Sequence, residues 1–215
     1  IKEGDYIICQ GETEWSKYDN ALNVIVRDIS KGEGLPKRED TWENGRRVEL
    51  HCHTKMSAMD ALNDPERIVQ LASDWGQPAV AITDHGVVQS FPDAAAFAGK
   101  LAKKGKPIKV IYGMEGYLYD DEGCIDAAGN IDYKKKKGTN HIILLCRTQE
   151  GLRNLYKLVS ISHVKYFYKK PRIPRTVLDK YREGLIVGSA CEAGEVYRAL
   201  EQGKSDEEVG DRKVL

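Results

Sequence analysis

From residue 46 onward, short uninterrupted apolar runs alternate with stretches whose apolar residues return every three or four positions. The runs at 48–50, 79–83, 108–112, 141–146 and 185–188 have the length and composition of buried strands. Between the first two, Ile68, Val69, Leu71, Ala72 and Trp75 fall at helical spacing, introduced by Asp64-Pro65 as cap and first-turn proline. A second helix is predicted over 91–103, halted by Gly105-Lys106-Pro107. A third begins near Gln149, with Leu152, Leu155, Leu158 and Val159 on one side, and a short fourth covers 194–200. Repeated β-then-α with apolar strands predicts an α/β fold on a parallel sheet, open or closed as a barrel. The polar stretch 119–139 has no such period and reads as a connection.

The first 45 residues obey a different pattern. Segments 5–11 and 21–29 carry β-branched residues around a polar turn and read as strands, and 31–36 has linker composition. Two strands do not make an independent sheet. Residues 1–45 are therefore expected to be the end of a β domain, with the α/β domain occupying 46–215. The chain opens on Ile1, which fits a piece of a longer protein.

Chemistry enters where the predicted strands end. His51-Cys52-His53 closes the first, and in extended backbone residues i and i+2 face the same way, so one segment aims two imidazoles at one point. Such a pair suits a cation like zinc, although a polar strand end would look the same. Asp84-His85 follows the second strand and Glu115 follows the third. Ligand-type residues at successive strand ends read as one site. His141 stands instead at the start of its run, so either that strand runs the opposite way or the histidine belongs to the preceding loop. Cys52 should face away from its neighbours into the core, and Cys9, Cys124 and Cys146 read as structural.

Composition narrows the setting. Apolar residues make 41% and charged residues 31%, as in a soluble globular chain, and the formal net charge of zero argues against indiscriminate nucleic-acid binding. No apolar run is long enough to span a membrane and no signal-like N-terminus stands out, so a cytoplasmic location is expected. Five cysteines without a C-x-x-C pair fit a reducing compartment better than a disulfide framework.

Several short motifs occur in a known order. His51-Cys52-His53-Thr54, Ser57-Ala58-Met59-Asp60-Ala61, Ile82-Thr83-Asp84-His85-Gly86 and Tyr112-Gly113-Met114-Glu115 resemble the polymerase-and-histidinol-phosphatase (PHP) domain family. Further along, the motifs 151–160, 166–175 and 183–192 resemble the PolC-type α subunits of bacterial DNA polymerase III. The resemblance implies a distorted β/α barrel, with 1–45 the end of an OB-like domain. It also implies a divalent metal cluster, zinc or manganese: His51 and His53 on a first ion, Glu115 bridging to a second completed by His141 and Cys191, and Asp60 with His85 on a third. Asp84 would orient an imidazole from behind. The family's final Asp-x-His pair has no counterpart before Leu215, and the segment 122–139 is too short for the exonuclease inserted in PolC.

The implied function is a fragment of a replicative DNA-directed DNA polymerase, a nucleotidyltransferase that uses Mg. This region would be a metal-binding support without the polymerase active site and inactive alone, meeting DNA and other replisome subunits through the parent protein and no membrane. The alternative is a metal-dependent phosphoesterase acting on a small phosphorylated substrate, with paired cations stabilising the attacking and leaving oxygens. A basic, aromatic stretch offers Lys165, Tyr166, Tyr168, Lys169, Lys170, Arg172 and Arg175 for DNA contact. A solvated basic loop fits that composition equally well.

Overall fold

A computed structural model describes residues 1–207 apart from 3, 35, 37, 44, 122, 123, 125–137 and 206. These divide into two compact units, Ile1–Thr41 and Trp42–Leu215. In the first unit β1 (Ile7–Ser16) pairs antiparallel with β2 (Ala21–Lys31). The register slips at Gln10/Gly11, where a Cβ on Gly11 would lie 2.1 Å from the Ile25 carbonyl oxygen. The bulge therefore requires glycine. Trp15 opposes Leu22 across the hairpin, and both are exposed. Cys9, expected to be structural, is also exposed: a lone two-stranded ribbon has no interior to bury it.

The second unit runs α1 (Pro65–Asp74), β3 (Ala79–Ile82), α2 (Phe91–Lys103), β4 (Lys109–Tyr119), β5 (Thr139–Cys146), α3 (Gln149–Val164), β6 (Phe167–Tyr168), β7 (Lys170–Pro174), α4 (Arg175–Lys180), β8 (Leu185–Ser189) and α5 (Glu195–Glu201). Its sheet has the order β6-β7-β4-β5-β8, and β3 pairs with β4 as well. β4 changes partner along its length. Lys109–Tyr112 lies parallel to β3, Gly113–Tyr119 antiparallel to β5, and its last three residues also run parallel to β7.

The fold is thus mixed α/β, and the expected parallel sheet is only partly present. β5 runs antiparallel to β4, and β8 antiparallel to β5. The reason lies in the connection. Tyr119 and Thr139 are direct cross-strand partners, so the second strand starts beside the end of the first and returns antiparallel to it. This places His141 at the start of a reversed strand. The expected strand at 48–50 reduces to one parallel bridge, Glu49 to Val80, extended by bonds from Ala81 N–H to Glu49 O and from Thr83 N–H to Cys52 O, each 2.8 Å. Residues 122, 123 and 125–137, most of the segment where the missing nuclease was considered, lie outside the described residues.

Strand alternation separates core from site. Met114 and Leu118 of β4, with Ile142 and Leu144 of β5, face a core closed by Val69, Phe91, Leu101, Leu155 and Leu158 from the helices. The odd-numbered residues of both strands, Glu115, Tyr117 and His141, occupy the opposite face. Among the described residues no helix is long and apolar enough to cross a membrane.

Candidate metal centre

The Glu115 carboxylate is 1% exposed and sits at the centre of a ring of imidazoles. His51 Nε2 is 2.6 Å and His53 Nε2 2.8 Å from its Oε2, while His141 Nδ1 is 2.7 Å from its Oε1. The Nε2 atoms of His51 and His53 are only 3.0 Å apart. His85 Nδ1 stands 3.6 Å from Oε2, and Cys191 Sγ is 3.8 Å from both Oε1 and His141 Nδ1. Asp60, at the edge, has Oδ2 3.5 Å from His85 Nε2 and is half exposed. All seven residues expected at the site are therefore brought together.

Backbone pairing explains the convergence. The segment with His51 and His53 is pinned to β3, and residues 84–86 are pinned to β4 by Glu115 N–H to Asp84 O (3.1 Å) and Gly86 N–H to Glu115 O (2.8 Å). His141 opposes Tyr117, two positions from Glu115 on the same face of β4. His163, which carried no assignment, has Nε2 2.9 Å from Gly86 O and fastens the His85 turn from α3. Gly86 takes φ +66 there, and a Cβ on it would come 2.5 Å from Pro171 Cγ, so both the turn and its packing exclude a side chain.

Asp84, expected behind an imidazole, is wholly buried, and its carboxylate bonds no imidazole directly among the described residues. It accepts the Thr54 N–H (2.6 Å) and the hydroxyls of Thr54 (2.9 Å), Ser57 (2.7 Å) and Ser90 (2.5 Å). Its influence passes through Ser57. Because the Ser57 hydroxyl donates to Asp84, its oxygen accepts from His53 Nδ1, 3.2 Å away, and from the His85 N–H at 3.0 Å. A proton on Nδ1 leaves the Nε2 lone pair of His53 facing the cluster. Thr54, Ser57 and Ser90 were not legible as functional. Two lie within the motifs at 51–61, but nothing in their spacing points to a carboxylate thirty residues away.

The electrostatics follow from burial around one carboxylate. Burial pushes the Glu115 acid upward, but bonds from His141, His51 and His53 prevail and hold it well below the usual carboxylate range. The bond to Glu115 raises His51. Burial lowers His85, and it pushes the Cys191 thiol up. His85 Nδ1 is buried with no hydrogen-bond partner among the described residues. Its ring stacks 4.3 Å from His53 and 5.6 Å from Tyr117. An orphaned imidazole nitrogen beside a carboxylate and three further imidazoles is a donor set that suits a divalent ion.

The basic stretch divides. Tyr166 and Arg172 are buried, the Arg172 guanidinium lying 4.6 Å over Tyr119 and 5.1 Å over Tyr168. Arg175 forms a two-pronged ion pair with Glu195, both bonds 2.9 Å. Packing thus withdraws Tyr166 and Arg172 from any surface a nucleic acid could meet, and Arg175 is engaged. Tyr168 and Lys169 remain outside, and Lys170 places Nζ 4.5 Å from the Tyr117 ring that stacks on His85. Cys52, expected in the core, is half-buried and lines a cavity; burial pushes its thiol up to about 11.

Residues 49–213 match the PHP domain model. Among curated relatives, the PolC-type DNA polymerase III of Clostridium perfringens is 26% identical, with 97% of this chain and 27% of that protein aligned. The Oceanobacillus iheyensis and Bacillus subtilis enzymes of the same name are 25% and 24% identical, covering 97% and 98% of this chain and 28% of each relative. The chain thus spans about a quarter of the length of the curated relatives it matches. The alignment to the C. perfringens protein runs over 397 residues against 215 here, so within it the relative carries additional sequence nearly as long as this chain. Among solved structures, an amidohydrolase from Chromobacterium violaceum overlaps 52% of this chain and 32% of its own, at 20% identity and a TM-score of 0.33.

Proposed function

The chain belongs to the PHP domain family, and from that premise we propose that it is the PHP region of a PolC-type replicative DNA polymerase III α subunit. Its role is that of a metal-binding domain supporting the polymerase, and primer extension belongs to other parts of the parent, where Mg serves. DNA and the remaining replisome subunits are partners of that parent protein. The observation that carries this reading is Glu115, a buried carboxylate met by His51, His53 and His141 within 2.8 Å.

His51 and His53 would hold a first ion, and Glu115, His141 and Cys191 a second; His85 and Asp60 would hold a third. Zinc or manganese is the expected element, since imidazole and thiolate favour zinc and shared carboxylates also accept manganese. Bound ions of this kind supply charge neutralisation and water activation to a phosphoester. The sheet corresponds to part of a distorted β/α barrel, and the β1–β2 hairpin to the end of an OB-like domain. The additional sequence of the relatives enters between β4 and β5, whose facing ends Tyr119 and Thr139 are already paired. Any length of chain can leave and return there without disturbing the sheet.

A metal-dependent phosphoesterase is the second reading. It is favoured by the openness of the ring: the imidazoles of His51, His53, His85 and His141 stay 16–29% exposed. Phosphate release from a phosphomonoester with added zinc or manganese separates the two. The support reading expects no turnover above background. Robust metal-dependent release that vanishes in His51→Ala would overturn it.

A further inference from the structure

Between residues 47–52 and α1 lies a cavity of about 300 Å³, at the lower end of the range for small-molecule sites. Cys52 lines it, whereas the neighbouring His51 and His53 do not, so it is distinct from the metal centre. The wall is largely apolar, with Ile68 and Leu71 from α1, Val80 from β3 and the Trp75 indole at the end of α1. Charge is confined to three residues. Arg47 is occupied by Glu49, its guanidinium 2.7 Å from Oε2. The Arg67 guanidinium enters no hydrogen bond or ion pair among the described residues, which leaves one uncompensated positive charge beside the apolar wall.

We propose that this cavity binds a small aromatic monocarboxylate. The complementarity is specific in sign and number. A single anionic group would meet Arg67 with two parallel hydrogen bonds, as guanidinium and carboxylate geometry allow. A compact aromatic body would pack on the Trp75 indole and the aliphatic side chains, where ring contacts add to simple apolar burial. A dianion would leave one charge without a partner, and a neutral ligand would leave Arg67 unused.

The test is calorimetric titration of the whole chain with 3-phenylpropionate and with its neutral amide. The expected result is one saturable site for the acid, and at least tenfold weaker binding of the amide. Arg67→Glu should weaken the acid at least tenfold and leave the circular dichroism of the chain unchanged, since Arg67 is exposed on α1. The acid should also slow modification of Cys52 by iodoacetamide, read peptide by peptide in a mass spectrometer. Equal affinity for acid and amide, undiminished binding by Arg67→Glu, or no saturation by about 10 mM acid would each overturn the proposal.

Discussion

Ser57 shows how much a single hydroxyl decides at this site. It takes its orientation from Asp84 and passes it to His53, so that the lone pair meant for a ligand faces the right way. Outer partners of this kind are worth about 10–100-fold in metal affinity. Ser57→Ala should therefore weaken zinc binding by about that factor while the fold persists, measured by competition with a chromophoric chelator. An unchanged affinity would mean that the tautomer of His53 is set elsewhere. Protons compete for the same atoms, and the sign can be worked out for the metal-free chain. Glu115 is held below its ordinary 4.5, so its bonds stabilise the fold above that pH and are lost as pH falls through the depressed value. His51 is raised above 6.5, so its contribution is complete below that pH and fades as pH climbs through the raised value. His85 is lowered by burial and works in the opposite sense, so the clear expectation is on the acid side: the chelated chain should lose melting temperature as pH falls below about 4.5, as a thermal scan across pH would record. A melting temperature unchanged down to the acid limit of folding would contradict this assignment of charge to Glu115.

At the scale of elements, what could be read depended on whether the signal was local. α2 starts and stops where its sequence says, because Pro92 lies in its first turn and Gly105-Lys106-Pro107 cannot continue it. β4 runs seven residues past the apolar stretch at 108–112, since its continuation carries Gly113, Glu115 and Gly116, which no apolar pattern would include. The reversed direction of β5 could not be chosen from sequence, and it is what brings His141 to Glu115. His51, His53, His85 and Glu115 were legible as ligand types, because strand ends and i, i+2 spacing are local properties, whereas Asp60, His141 and Cys191 entered the set through the resemblance to the PHP family. Asp84 and its three hydroxyls were not legible as a group, because their meeting is made by tertiary pairing. Leu144 on β5 is fully buried in the core shared by sheet and helices. Leu144→Ala should lower stability by about 2–5 kcal/mol in a denaturant titration. A loss well below that range would mean the core relaxes around the cavity.

For the whole molecule, the second unit joins a candidate metal centre to an apolar core. Ions that bind the folded chain and not the unfolded one raise its melting temperature by mass action. The same ring of imidazoles around a buried carboxylate would otherwise have to be held by protons alone. The most direct measurement is therefore the thermal midpoint of the zinc-loaded chain before and after a strong chelator, in wild type and in His53→Ala. The expected result is a clear drop for wild type, reversed on adding zinc back, and little chelator response once His53 is gone. An equal drop in both proteins, or none in wild type, would contradict the claim that His51, His53, His85, Glu115 and His141 hold metal.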